Sequence, residues 1–154
     1  MQPKLRKYQD DLRTSGLGVI AFGIWSVIKM VLTFLLVPEY WQQLKTIAGP
    51  GLDILIYVFV IGSLIAIEIG IRLLIGLSAR SEGNGGKKRN LYIAADIILM
   101  LISAASIVAV AVLPGEASFI ERAASIIFEG SSFFVMLRLL ISVYKVRSLA
   151  KKTA

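Results

Sequence analysis

Four long apolar stretches, parted by short polar segments, constrain this chain more than any other feature of its sequence. They cover residues 16–37, 52–79, 91–113 and 118–144. A helix needs about 20 consecutive apolar residues to cross the roughly 30 Å hydrocarbon core of a bilayer, and each stretch meets that length. Lipid offers no water to backbone N–H and C=O groups, so such stretches fold as helices that satisfy those groups internally. The expected fold class is therefore all-α: a polytopic membrane protein whose four transmembrane helices form an antiparallel bundle. Apolar residues make up 56% of the 154 positions, above the ~45–50% of soluble domains. The length suits one domain.

Orientation follows from the basic residues. Segment 1–15 carries Lys4, Arg6, Lys7 and Arg13. The linker after the second span carries Arg80, Lys87, Lys88 and Arg89, and the tail 145–154 carries Lys145, Arg147, Lys151 and Lys152. The loop after the first span holds only Lys45, and the loop after the third holds no basic residue before Arg122. Loops rich in Lys and Arg stay in the cytoplasm, so both termini are expected there, with the protein in the cell (plasma) membrane. The net charge of +7 flanks the apolar stretches and suits anionic lipid head groups rather than nucleic acid.

The connecting segments carry their own signals. Leu5, Tyr8 and Leu12 recur at helical spacing among basic residues, which predicts a short helix in the cytoplasmic interface or a solvated tail. The apolar block after them is too long for a cleaved signal peptide. Tyr40, Trp41, Leu44 and Ala48 predict an interfacial helix on the outer surface, stopped by Gly49-Pro50-Gly51. The linker from Arg80 to Asn90, rich in glycine and charge, is expected to be the most flexible part of the chain. Its glycines lack a preceding strand and the phosphate-loop spacing. Pro114-Gly115 predicts a tight turn, and Ser118 with Glu121 a capping box. The fourth helix is expected to end near Tyr144, with a frayed tail beyond it.

The chain has no cysteine and no histidine. Disulfides, thiolate chemistry, Cys/His metal sites and histidine general bases are thereby excluded. No catalytic motif is present, and no cofactor or metal is expected.

Six ionisable residues interrupt the apolar stretches: Lys29, Glu68, Arg72, Asp96, Glu129 and Arg138. A charge at the bilayer centre costs roughly 2.5–3.5 kcal/mol on insertion scales, so these side chains should face protein or water. At 1.5 Å per residue, Arg72, Asp96 and Arg138 fall roughly 8–9 Å from the cytoplasmic ends of their helices, and Lys29, Glu68 and Glu129 roughly 15–22 Å. Glu68 and Arg72 are spaced to pair along one helix. Asp96 can approach Arg72 at the same depth, and Lys29 can lie between Glu68 and Glu129. These five form the expected intramembrane polar cluster. Arg138 falls opposite Glu129 on the fourth helix and is expected to snorkel toward the interface beside Lys145. Asp96, Ser103 and Ser106 share a weakly polar face of the third helix.

Small residues suggest close helix packing. Gly62, Ala66 and Gly70 form a small-xxx-small stripe, expected to pack within the bundle, and Gly16, Gly18 and Gly23 can do the same on the first helix. Small size, balanced charges and small-residue stripes point to a non-enzymatic subunit or accessory component. Its partners would be the lipid bilayer and either a second copy or a larger membrane protein. The alternative is an oligomeric proton- or ion-coupled transporter or channel, with Lys29, Glu68 and Glu129 lining the path.

Overall fold

The fold is a computed structural model that describes residues 3–36, 53–112 and 119–153. It contains four helices: α1 (Pro3–Leu36), α2 (Asp53–Gly83), α3 (Leu91–Val112) and α4 (Phe119–Thr153). No strand occurs among the described residues. All four are long and apolar enough to cross a membrane. The expected outer interfacial helix, the Pro114-Gly115 turn and the Ser118 capping box lie outside the described residues.

The helices outrun the apolar stretches. α1 has 34 residues, α2 31 and α4 35, or about 46–52 Å each at 1.5 Å per residue. The charged N-terminal segment is the first part of α1 rather than a separate helix or a tail. Proline at the first helical position suits that start, because its missing N–H would have had no intrahelical acceptor. α4 continues past Tyr144 through the basic segment to Thr153 instead of fraying.

The glycine-rich linker is also more ordered than its composition suggests. α2 runs on to Gly83 and closes in a Schellman turn: Gly86 N–H donates to Ser81 C=O at 2.9 Å and Gly85 N–H to Glu82 C=O at 3.0 Å. This geometry needs a left-handed residue at the reversal, and Gly85 supplies it with φ of 84°. Asn90 then opens α3, its carbonyl accepting from the N–H groups of Ile93 and Ala94, each at 3.1 Å.

The chain divides into two compact units. One comprises Met1–Val19 and Leu74–Ala154, hence the first half of α1, the end of α2, and all of α3 and α4. Its core is Leu12, Val19, Ile75, Ala79, Tyr92, Met136, Leu139, Val143 and Val146. α3 packs along α4. Gly16 permits the backbones of α1 and α2 to approach, since a Cβ there would stand 2.8 Å from Gly76 O. Gly18 does the same for α4, where a Cβ would stand 2.9 Å from Val135 Cγ1.

The other unit comprises Ile20–Leu73. Here Gly23 admits the Arg72 side chain, whose Cδ lies 2.6 Å from a notional Cβ. Trp25, Phe59, Leu64 and Ile67 are exposed. Large apolar side chains exposed in this way are unfavourable in water and suit hydrocarbon, in keeping with helices long and apolar enough to cross a membrane. Serines on such surfaces return their hydroxyls to the helix itself: Ser63 donates to Phe59 C=O at 2.7 Å and, in the first unit, Ser131 to Ile127 C=O at 2.7 Å.

Candidate functional site

The polar side chains of the first unit gather at three levels. The most connected group joins the end of α2, the start of α3 and the last third of α4. Glu82 lies on the last turn of α2, where the chain is about to reverse, and is buried. Arg147 reaches it from α4 as a fork, Nε donating to Oε1 at 2.7 Å and Nη2 to Oε2 at 2.8 Å. The remaining guanidinium donors go to Asn90 Oδ1 at 2.6 Å and to the Arg89 carbonyl at 2.8 Å. Tyr92, the second residue of α3 and fully buried, donates its hydroxyl to Glu82 Oε2 at 2.8 Å. Fork geometry is the strongest form of carboxylate recognition, because two parallel charge-assisted bonds fix distance and orientation together. α1 closes on the same turn: a Cβ at Gly83 would stand 2.9 Å from Arg13 Cγ and 2.9 Å from Gln9 O.

Asp96 stands one turn further along α3, on the face that also buries Tyr92 and Ser103. It is 0% exposed, and neither carboxylate oxygen has a hydrogen-bond partner among the described residues. Beyond it, Ser103 donates to Glu129 Oε2 on α4 at 3.0 Å. The face assigned to Asp96 and Ser103 therefore meets the acid on the neighbouring helix through a hydroxyl.

Arg138 pairs with Asp11 of α1, Nη2 to Oδ1 at 2.6 Å, a contact that the sequence did not suggest. The reason is the continuity of α1, whose N-terminal half runs beside α4 and brings Asp11 to it. Asp10 on the neighbouring position takes Arg13, at 3.0 Å.

In the unit Ile20–Leu73, Glu68 and Arg72 are joined as their spacing predicts, Arg72 Nε donating to Glu68 Oε1 at 3.2 Å. Lys29 lies on an exposed face of α1. Gly62, Ala66 and Gly70 are exposed as well. A Cβ at Gly62 or Gly70 would meet nothing within 4 Å, so the stripe expected to pack inside the bundle is left open among the described residues. The close approaches fall instead to Gly16, Gly18 and Gly23.

Sequence reasoning missed Glu82 and Arg147 because both lie in segments that read as linker and tail. One signal was available: Glu82 is the single acid in a run that also holds Arg80, Lys87, Lys88 and Arg89. Among the described residues no group of three His, Cys, Asp or Glu side chains could hold a metal ion. No family model matches the chain, and no curated protein or solved structure matches it.

Proposed function

We propose that this chain is a small integral membrane protein of the cell membrane, with both termini in the cytoplasm and four antiparallel spans. It acts as a non-catalytic subunit or accessory component. The observation that carries this reading is the open stripe Gly62–Ala66–Gly70 on α2. Between helices in lipid there is no hydrophobic driving force, so association rests on van der Waals packing, and small residues allow it by letting backbones approach. Among the described residues nothing stands over Gly62 or Gly70, which suits a transmembrane helix from outside the chain, either a second copy or a larger membrane protein. The ion pairs support the same reading. Glu68 takes Arg72, Glu82 takes Arg147 and Asp11 takes Arg138, which is the arrangement of charges that fix helix register rather than process a substrate.

The absence of native cysteine makes the test direct. Ala66→Cys in native membranes should give one defined crosslinked product under mild oxidation or with a short thiol-reactive crosslinker. Gly62→Leu together with Gly70→Leu should abolish it. A monomeric chain under both conditions would remove the docking reading. Orientation is tested separately with Asn84→Cys and Ser148→Cys, each of which should resist a membrane-impermeant maleimide in intact cells and react after permeabilisation.

A further inference from the structure

We propose that Asp96 is a binding site for one small monovalent cation, a proton or a sodium ion, enclosed in the core that α3 and α4 share with the first half of α1 and the end of α2. This does not depend on the docking face of α2.

The inference begins with an orphan. Asp96 is 0% exposed, and among the described residues both of its oxygens lack a hydrogen-bond partner. An ionised carboxylate withdrawn from water with no donor and no counter-charge does not persist; it is neutralised or it holds a positive ion. Three guanidinium groups of the same unit are paired with other acids. Arg13 pairs with Asp10, Arg138 with Asp11 and Arg147 with Glu82. The hydroxyls that share its buried face are turned away as donors, Tyr92 toward Glu82 and Ser103 toward Glu129.

A buried acid without a donor selects a positive charge. Ile75, Met136 and Leu139 are fully buried in the same unit, and apolar surroundings of that kind penalise a bare carboxylate. A single carboxylate balances a single charge. The multidentate acid sets that hold divalent ions are missing among the described residues.

The experiment uses the full chain in lipid nanodiscs, with sodium chloride compared against choline chloride at neutral pH. Choline is too large to enter a closed core. If the ligand is a proton, the infrared spectrum shows the carbonyl stretch of a protonated carboxylic acid in both salts. Aspartate labelled with carbon-13 at its carboxyl shifts that band, Asp96→Asn removes it, and the thermal midpoint is the same in the two salts. If the ligand is sodium, the band is absent, and the midpoint rises with sodium concentration in the wild type and stays flat in Asp96→Asn. Isotope labelling assigns the band in the wild type alone, so the result stands even where the variant does not fold. A wild-type protein with neither the acid band nor a sodium-dependent midpoint overturns the proposal.

Discussion

Replacing Arg147 with alanine should destabilise the first unit by about 3 kcal/mol, the lower end of the 3–5 kcal/mol found when one partner of a buried ion pair is removed. The structure sets the choice within that range. The Glu82 side chain is 2% exposed and that of Arg147 22%, so water reaches the cation and not the anion. Alanine removes four hydrogen bonds at once, two of them to Glu82, one to Asn90 and one to the Arg89 carbonyl. What remains is a sealed carboxylate held by the Tyr92 hydroxyl and the Arg89 backbone, and leaving a buried charge without its counter-ion is the dominant penalty. The Arg147→Ala and Glu82→Gln variants, with the double variant, form a cycle. Its coupling energy should exceed about 1 kcal/mol, as expected for residues in direct contact. The assay is SDS-induced unfolding in mixed micelles followed by far-ultraviolet circular dichroism. A loss under about 1 kcal/mol, the range of solvent-exposed pairs, would refute the claim that α4 seals Glu82.

Tyr92→Phe should be milder, about 1 kcal/mol, because Glu82 Oε2 keeps Arg147 Nη2 when the phenol is lost; the same unfolding assay reads it. Arg138→Ala should change stability by no more than about 1 kcal/mol and less at high salt, since the side chain is 54% exposed. Gly16→Ala should cost about 1–3 kcal/mol, because its Cβ would stand 2.8 Å from the Gly76 carbonyl. Gly62→Ala should stabilise the isolated chain by up to about 1 kcal/mol through helix propensity, given open space at that position. Equal effects at the two glycines would contradict the packing described for α1 and α2.

The four helices were legible because hydrocarbon imposes length and composition together. The run from Ile97 to Val112 contains no charge and could hardly be anything but a span. The Glu68–Arg72 pair was legible because one helix fixes both residues at a known spacing. Contacts between distant segments were not. Arg138 meets Asp11 across 127 positions, and nothing in the local pattern of either marks the other. The same holds for the fork at Glu82. Gly, Ser and charge read as a solvated linker, yet a Schellman turn and an arginine from α4 order it. The stripes of small residues illustrate a further gap. Gly16 and Gly62 look alike in sequence, but only the fold says which one lies against another backbone.

The fork at Glu82 has a consequence for how the chain is made. Its two halves are separated by 65 positions. At a translation rate of about 5–20 residues per second, several seconds pass between the emergence of the acid and of its guanidinium. During that interval the reversal after α2 has its glycine cap and Tyr92 but no counter-ion, and water or lipid head groups must stand in. Assembly of this end of the molecule is therefore ordered in time: α1, α2 and α3 can gather early, and only the arrival of α4 locks them.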